Sequence, residues 1–389
     1  MSVDPLTPQK GPGDVRPEMA IGAKADLLES ALAEPAQTVA FSRSPGLARR
    51  LLDLDVSVVL TSYQSGFLYL VGVGTNGQIN VHQTALPRPM GVRSDKAGGF
   101  FLATGFQIIH YRNLLEPGEV ANRQFDACFL PRAIFVTGGI DTHDVGIDAE
   151  GQPVFVSTRF NALCRLGERH SFEPVWLPPF ITKVADEDRC HLNGLAMQDG
   201  KAAFVTAVSR SDTIDGWRDR RVDGGVVIDV STGAVLCEGL SMPHSPRWHD
   251  GRLWVLNSGT GELGTVIADD PVPGRFQPLC FCPGFTRGLG FAGRYALVGL
   301  SKPRYERFTG LALDSRLMAA DSEPWCGVQI IDTTDGTCVD WFRIDGAVSE
   351  IYDVEVLPGI RCPMAVSPGS PELLSMVTWS KTVGPGHGA

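Results

Sequence analysis

The chain has 389 residues, of which 43% are hydrophobic and 20% charged, and its formal net charge is -10. This acidic balance argues against a protein that follows nucleic-acid phosphates, and no apolar run reaches the roughly 18 residues of a membrane span. The N-terminus lacks the apolar core of a signal peptide and the 9 cysteines form no paired CxxC clusters, so we expect a cytoplasmic protein without nucleic-acid or membrane partners.

Residues 1–54 are predicted to form an N-terminal arm. Proline, glycine and charged residues dominate residues 1–40, where one short helical stretch covers 23–34. Ser44 and Pro45, which precede an apolar run, predict a second short helix with Ser44 as its N-cap and Pro45 in its first turn.

A five-residue pattern then returns six times. Each copy begins with a polar residue, most have glycine in the fourth position, and all have an apolar residue in the fifth. The copies begin at Arg88, His143, His191, His244, Arg287 and Tyr352. A period of roughly 50 residues with strand-like sequence between the copies is typical of a radial array of β-sheets.

The sequence between the copies predicts four strands per blade. Most copies continue through a tight turn, such as Asp199-Gly200, into a second strand, and several add a further hairpin. Residues 58–84 supply three strands without an inner one, whereas the last copy supplies an inner strand alone. We therefore predict an all-β fold: a six-bladed β-propeller over 55–367, its sixth blade closed by both chain ends, followed by a C-terminal tail over 368–389.

Three segments are longer than the blade template requires. They cover residues 182–189, 209–222 and 303–324, and all three are rich in charged residues. Long excursions from a compact domain are often functional lids. We expect these segments to cover one mouth of the propeller channel.

Three of the six leading residues are histidines. If the copies are equivalent, His143, His191 and His244 on consecutive blades meet near one point on the axis. Three neutral imidazoles with an open position are typical of a catalytic zinc site, and imidazole also binds iron or copper. The sequence therefore predicts a divalent transition metal, with zinc favoured. The alternative is that each histidine only hydrogen-bonds a neighbouring blade.

The arginines of the ring predict an anionic substrate. Arg88 and Arg287 cannot lose their charge, so their guanidinium groups need anionic partners if they are buried. Asp144, Asp353 and Glu350 lie next to ring positions and are candidates to neutralise them internally. Otherwise the two arginines bind the carboxylate, phosphate or sulfate of a small substrate.

Tyr352 completes the ring. A phenol beside a metal and two guanidinium groups is expected to have a lowered pKa and to act as a general acid or base; alternatively, its ring only packs to close the channel. Asn193 and Glu350 are candidate metal ligands or partners that orient an imidazole. Arg159 and Lys302, where second strands end, are additional candidates for substrate binding.

Familiar enzyme motifs are absent from the sequence. There is no G-x-S-x-G, P-loop or HExxH motif, and no G-x-G-x-x-G follows a strand. Cys280 and Cys282, two residues apart in an apolar stretch, would share one face of a strand, and we expect them to pack as small core residues.

One copy of the repeat resembles known propeller sequences. His191-Leu-Asn-Gly-Leu-Ala, with the following Asp199-Gly and Phe204-Val-Thr, resembles the signature of the gluconolactonase-like and NHL-type six-bladed propellers. The resemblance to gluconolactonase-like proteins implies that Asn193 is a metal ligand. A glutamate and an aspartate would complete a calcium or zinc site with it. Over most of its length the chain resembles an uncharacterised bacterial family of conserved hypothetical proteins. Its ring is also similar to the three-histidine zinc site of peptidylglycine amidating lyases, which have arginine and tyrosine nearby.

These patterns predict a metal-dependent enzyme that acts on a small anionic substrate at the axis. Lyase or hydrolase chemistry is favoured, and an oxygenase follows if the metal is iron or copper. In this interpretation the three histidines bind the metal, Arg88 and Arg287 hold the anion, and Tyr352 transfers a proton. The alternative is a non-catalytic propeller in which the same ring binds an anionic ligand or an acidic peptide.

Overall fold

The computed structural model describes residues 39–268, 273–303 and 308–379. Its strands form six sheets, and the innermost strands of neighbouring sheets contact one another in a closed ring. The predicted all-β, six-bladed propeller is therefore confirmed. The helix predicted over 23–34, and the outer parts of the predicted arm and tail, lie outside the described residues.

The first described elements are a strand, a helix and three strands of the sixth blade. They are β1 (Val39–Arg43), α1 (Leu47–Leu54), β2 (Val56–Ser62), β3 (Phe67–Val73) and β4 (Ile79–Ala85). Five blades then follow in chain order, each with four antiparallel strands of which the first lies at the axis.

The first blade consists of β5 (Val92–Ser94), β6 (Phe100–Ala103), β7 (Gln107–Asn113) and β8 (Ala127–Val136). The second consists of β9 (Thr142–Ile147), β10 (Pro153–Ser157), β11 (Ala162–Arg165) and β12 (Glu173–Trp176). The third consists of β13 (Leu192–Gln198), β14 (Lys201–Ala207), β15 (Gly225–Asp229) and β16 (Val235–Leu240). The fourth consists of β17 (Pro243–His249), β18 (Arg252–Asn257), β19 (Glu262–Ile267) and β20 (Arg275–Phe281).

The fifth blade consists of β21 (Phe285–Ala292), β22 (Tyr295–Ser301), β23 (Gly327–Asp332) and β24 (Cys338–Gly346), with helix α2 (Ala312–Ala319) between β22 and β23. The last two strands are β25 (Asp353–Pro358) and β26 (Pro363–Ala365). Short 3-10 helices cover Arg218–Arg220 and Pro371–Leu374. Neither α1 nor α2, nor any other described helix, is long and apolar enough to cross a membrane.

Both ends of the array build the sixth blade, as predicted. β25 is its innermost strand and pairs antiparallel with β2, so that Thr61 lies opposite Asp353. β26 then pairs in parallel with β8 as a fifth strand of the first blade. Because the innermost strand and the next three come from opposite ends of the chain, the ring closes without an open inner edge.

The segment before β2 packs on the propeller. β1 pairs with β24 as a fifth strand of the fifth blade, and Leu47 and Leu51 of α1 are buried in the core between the fifth and sixth blades. The predicted N-cap at Ser44 is wrong, because α1 begins at Leu47 and the Ser44 hydroxyl instead donates to Asp340 Oδ1 at 2.7 Å.

The recurring glycine of the repeat allows neighbouring inner strands to approach closely. A Cβ added to Gly194 of β13 would collide with Pro246 Cδ and lie 3.0 Å from Ser245 N, both on β17. We expect Gly194→Ala to lower the free energy of unfolding by about 1–3 kcal/mol, the usual cost of overpacking. Urea denaturation measures the effect, with Gly369→Ala as control because a Cβ at Gly369 meets no atom within 4 Å. A Gly194→Ala protein as stable as this control would contradict the packing explanation.

Hydroxyl groups at the ends of second strands join the blades. The side chains of Thr61, Thr158 and Ser258 each donate a 2.6 Å hydrogen bond to a backbone carbonyl oxygen of the next blade. The acceptors are Met90, Leu192 and Thr286. These bonds fix where three of the six inner strands begin.

Candidate functional site at the propeller axis

The inner strands bring most of the leading residues together. His143, His244 and Arg287 lie on inner strands, and His191 and Tyr352 immediately precede the first residues of β13 and β25. The sequence predicted that these side chains face a common axis. A single cavity is lined by His143, Asp144, Asn193, His244, Ser245, Arg287, Tyr352 and Asp353.

The cavity is small and rich in hydrogen-bond donors. Its volume of about 10 Å³ admits one water-sized group. Three buried donors on residues that line the cavity have no hydrogen-bond partner in the described part of the chain: Asn193 Nδ2, Arg287 Nη2 and Tyr352 Oη. Buried polar groups are rarely left unpaired, so three unpaired donors around one cavity indicate a missing acceptor.

His191 lies beside this cavity and contacts His143. The two imidazole rings are perpendicular, with centroids 5.1 Å apart, and the His143 ring is also 5.6 Å from that of Tyr352. On its other side His191 packs against Trp217, at 4.2 Å between ring centroids. The indole ring of Trp217 thus covers one face of His191, a contact that the repeat pattern did not predict.

Each histidine is anchored through its Nδ1 atom. His143 Nδ1 lies 3.2 Å from the carbonyl oxygen of Asp141, and His191 Nδ1 lies 2.6 Å from Asp188 Oδ2. His244 Nδ1 lies 2.8 Å from the carbonyl oxygen of Met242. These acceptors assign the proton of a neutral ring to Nδ1, which leaves Nε2 as the basic nitrogen.

His244 is held neutral. Burial lowers its pKa well below the ordinary 6.5, and the nearby positive charge of Arg287 lowers it further. A buried histidine without a proton keeps a lone pair on Nε2 at neutral pH. His244 therefore has the form of a proton acceptor rather than of a cation.

This pKa shift predicts a loss of stability in acid. The unfolded chain takes up a proton at His244 below about pH 6.5, whereas the folded protein does not, so stability falls as the pH falls. Between about pH 7.5 and pH 5.5 we expect the wild type to lose about 1.4 kcal/mol more free energy of unfolding than His244→Asn. Urea denaturation of both proteins at the two pH values measures this difference; equal losses would contradict the assignment of a neutral His244.

The predicted three-histidine metal site is not formed in the described residues. No group of three or more His, Cys, Asp or Glu side chains among them is arranged to hold a metal ion. The anchored Nδ1 atoms match the outer contacts that metal-bound histidines usually make. A divalent metal on His143, His191 and His244 therefore remains a prediction.

Tyr352 packs between Arg287 and Tyr63. The guanidinium carbon of Arg287 lies 3.5 Å from the centroid of the Tyr352 ring, and the Tyr63 ring meets it edge-on at 5.5 Å. Burial raises the pKa of Tyr352 well above 10, although the charge of Arg287 opposes the shift. The expectation of a lowered pKa is wrong, because the phenol is 4% exposed and desolvation outweighs the positive charge. Tyr352 keeps its proton at neutral pH.

The acidic residues beside the ring have different partners. Asp144 and Asp353 neutralise Arg247, whose guanidinium nitrogens lie 2.7 Å from Asp144 Oδ2 and 3.4 Å from Asp353 Oδ1. Arg93 also contacts Asp144, at 3.6 Å. Glu350 Oε1 lies 3.7 Å from Arg287 Nη1. The other terminal nitrogen, Arg287 Nη2, has no hydrogen-bond acceptor among the described residues.

Arg247 forms buried ion pairs with two carboxylates that line the cavity. From the fourth blade it reaches Asp144 of the second, the carbonyl oxygen of Leu195 in the third and that of Leu289 in the fifth. Burial raises the pKa of Asp353, with Arg247 and Arg93 opposing this effect. The role of Arg247 was not predicted from the sequence, although this residue occupies the fourth position of the repeat, where four copies have glycine.

The remaining predicted binding residues lie outside the cavity. Arg88 is exposed, and its guanidinium carbon is 5.2 Å from the Tyr63 ring centroid. The Tyr63 ring in turn contacts that of Tyr352, so Arg88 touches the cavity lining only indirectly. Arg159 forms an ion pair with Asp186 and donates to the carbonyl oxygen of Gly139 at 2.7 Å. Lys302 follows β22, and its backbone N–H donates to the carbonyl oxygen of Ser349.

Two of the predicted lid segments are joined beside His191. Arg189 is 5% exposed, and its guanidinium group binds Glu187 of its own segment and, at 2.6 Å, Asp212 of the next one. Asp188, which binds His191, accepts a backbone hydrogen bond from Asp215. The third segment is described in part and contains α2, whose Leu313 N–H donates to the carbonyl oxygen of Gly259.

The sequence matches the family described as "Domain of unknown function (DUF4915)" over residues 45–366. The chain belongs to this family. The match begins just before α1 and ends just after β26, so it includes all six blades. No curated protein matches the chain.

Solved structures of several other proteins are similar to this one. A nidogen/laminin complex matches with a TM-score of 0.48 and 10% identity, covering 79% of this chain and 100% of that chain. Virginiamycin B lyase from Staphylococcus aureus matches with a TM-score of 0.36 and 10% identity, covering 79% and 99%. A luciferin-regenerating enzyme matches with a TM-score of 0.38 and 13% identity, covering 80% and 95%. At such low identities and scores these likenesses identify no activity for this chain.

Proposed function

We propose that the protein binds the anionic end of a small molecule at the propeller axis and acts on it as a lyase or a hydrolase. The observation that supports this is the set of three buried donors, Asn193 Nδ2, Arg287 Nη2 and Tyr352 Oη, around one cavity. An oxygen of a carboxylate or phosphate accepts hydrogen bonds from Asn193 and Arg287, and its charge complements the guanidinium group. The leaving group of the substrate accepts from Tyr352. The small volume suits one such oxygen, with the rest of the molecule directed toward the mouth.

His244 and Tyr352 supply opposite proton-transfer roles in this proposal. The lowered pKa of His244 keeps its Nε2 unprotonated, and the raised pKa of Tyr352 keeps its phenol protonated. Two groups in one cavity whose surroundings drive their pKa values apart are suited to act as base and acid. Both line the cavity that holds the unpaired donors.

His244 and Tyr352 supply both of the proton transfers that an elimination requires. His244 Nε2 takes a proton from a carbon of the substrate, the electron pair forms a double bond as the bond to the leaving group breaks, and Tyr352 Oη gives its proton to that group. In hydrolysis the same base takes the proton from water, and Tyr352 again protonates the leaving group. Arg287 and Asn193 hold the anionic end in both reactions.

Deuterium exchange tests the proposal even while the product is unidentified. Acetate, malonate, succinate and inorganic phosphate are first titrated by calorimetry, and the carboxylates that bind are then incubated with the protein in D₂O and followed by ¹H NMR. We expect one or more carboxylates to bind and to exchange carbon-bound protons, and His244→Gln to abolish exchange while binding persists. Binding with no exchange would contradict the elimination and favour hydrolysis or a non-catalytic anion-binding propeller, and no binding by any probe would contradict all three.

A metal-dependent form of this enzyme is a second candidate. It is supported by the shared anchoring of His143, His191 and His244 through Nδ1, which leaves three Nε2 atoms of the type that bind zinc, iron or copper. Metal analysis of protein purified without a histidine tag tests it. A stoichiometric metal that is lost in His191→Ala supports this candidate, and metal-free protein that still binds a carboxylate excludes it.

A further inference from the structure

Arg88 is a cation without an anionic partner at the mouth of the axial cavity, the end at which the inner strands begin. It leads the first copy of the repeat, but the inner strand of that blade begins only at Val92, and Arg88 does not line the cavity. Its side chain is exposed and forms an ion pair with no carboxylate of the described residues. Arg159, at the same end of the second blade, is by contrast neutralised by Asp186.

Two neighbours hold the Arg88 side chain in place. Its guanidinium carbon lies 5.2 Å from the centroid of the Tyr63 ring, a cation–π contact that leaves N–H groups available to donate. Its Cβ and Cδ lie 3.4 Å from the position that a Cβ on Gly105 would occupy, so the aliphatic stem runs along the Gly105 backbone. The Gly105 N–H in turn donates to the carbonyl oxygen of Pro87 at 2.9 Å. The charge is therefore presented at a defined point of the mouth.

A row of ring contacts joins Arg88 to the proposed anion site at the axis. The Tyr63 ring, which Arg88 contacts, meets the Tyr352 ring, and the Tyr352 ring contacts the guanidinium group of Arg287. Because these three contacts are 5.2, 5.5 and 3.5 Å long, the two guanidinium carbons are at most about 14 Å apart. A charge-assisted hydrogen bond at each end takes up about 2.8 Å of this distance. A short flexible chain with an acid group at each end therefore reaches both arginines.

We propose that the substrate is such a dianion, with one acid group at the axis and the second bound by Arg88 at the mouth. This inference rests on the proposed function, which places the first acid group on Asn193 and Arg287. The axial cavity admits one water-sized group, so the second acid group lies outside it, on the side where Arg88 has donors available. Arg88 is then the residue that distinguishes dianions from monoanions of the same length. Because Arg88 is exposed, its contribution is modest and is screened by salt.

Calorimetric titration with two matched ligands tests the proposal. Glutarate has an acid group at both ends, and monomethyl glutarate has the same chain with one acid group esterified. At low ionic strength we expect Arg88→Met to weaken the binding of glutarate by about 3–10-fold, the effect of losing one exposed ion pair. The same variant is expected to bind monomethyl glutarate as tightly as the wild type does, because this ligand has no second charge.

Two control variants separate this proposal from the proposed function. Arg294→Met removes an exposed cation elsewhere and is expected to change neither affinity, whereas Arg287→Met is expected to weaken both ligands. Unchanged glutarate binding in Arg88→Met would overturn the second anion position, even where Arg287→Met supports the first. Equal weakening of both ligands by Arg88→Met would also overturn it, because Arg88 would then act on the axial acid group. A wild type that binds neither ligand would contradict the axial site and this proposal with it.

Discussion

Arg247→Met is expected to lower the free energy of unfolding by about 3–5 kcal/mol, the cost of removing one partner from a buried ion pair. Arg247 is 7% exposed and pairs with Asp144 and Asp353, which are both 3% exposed. Methionine fills much of the same space but leaves two carboxylates at the axis without this cation. Urea denaturation measures the loss.

A matched control separates burial from charge. Arg294 pairs with Asp332 at 3.0 Å, but its side chain is 60% exposed, so Arg294→Met is expected to cost far less free energy of unfolding than Arg247→Met. If Arg247→Met does not fold, the triple change with Asp144→Asn and Asp353→Asn is expected to restore folding, because it removes the unpaired charges. If Arg247→Met loses no more free energy of unfolding than the control, the buried ion pairs of Arg247 do not stabilise the propeller.

Arg287→Met is expected to weaken the binding of malonate by about 10–100-fold, which corresponds to a hydrogen bond to a charged group. Arg287 supplies one of the three unpaired donors and is the charged member of the set. Isothermal titration calorimetry at fixed ionic strength measures the dissociation constant.

Two further variants make this result specific. Arg294→Met changes the net charge by the same amount at an exposed site, so it is expected to leave the affinity unchanged. Arg287→Lys keeps the charge but loses the planar group, and we expect an intermediate affinity. Equal weakening by Arg287→Met and Arg294→Met would indicate a general charge effect and would contradict a specific contact at the axis.

The architecture was predictable because a short sequence pattern, repeated at regular spacing, determines it. The spacing of the copies predicted six blades, and an inner strand missing at one end and supplied at the other predicted the pairing of β2 with β25. The shared register also placed His143, His244, Arg287 and Tyr352 around one cavity. These inferences need only the periodicity of the backbone.

Contacts between blades were less predictable, since they depend on the directions of side chains that are distant in sequence. Adjacency to the ring made Asp144, Asp353 and Glu350 candidates to neutralise Arg88 and Arg287. Glu350 does contact Arg287, but Asp144 and Asp353 bind Arg247, which extends across the axis from its own blade. The charge of each carboxylate was evident from the sequence, but its partner depends on which cation lies within contact distance in the folded protein.

Electrostatic shifts were misjudged for the same reason. Tyr352 was expected to have a lowered pKa because a metal and two arginines were predicted beside it. Burial by its neighbours, including the edge-on Tyr63 ring, has the larger effect and raises the pKa. Degree of burial follows from packing among blades, which a repeat pattern does not specify.

A crystal structure of the protein grown with malonate tests whether the axial cavity binds an anion. We expect electron density for a carboxylate oxygen within hydrogen-bond distance of Asn193 Nδ2, Arg287 Nη2 and Tyr352 Oη, with the same density absent or displaced in Arg287→Met. If these three atoms instead bind protein acceptors in a closed axis and malonate lies elsewhere or is missing, the proposed anion site does not exist.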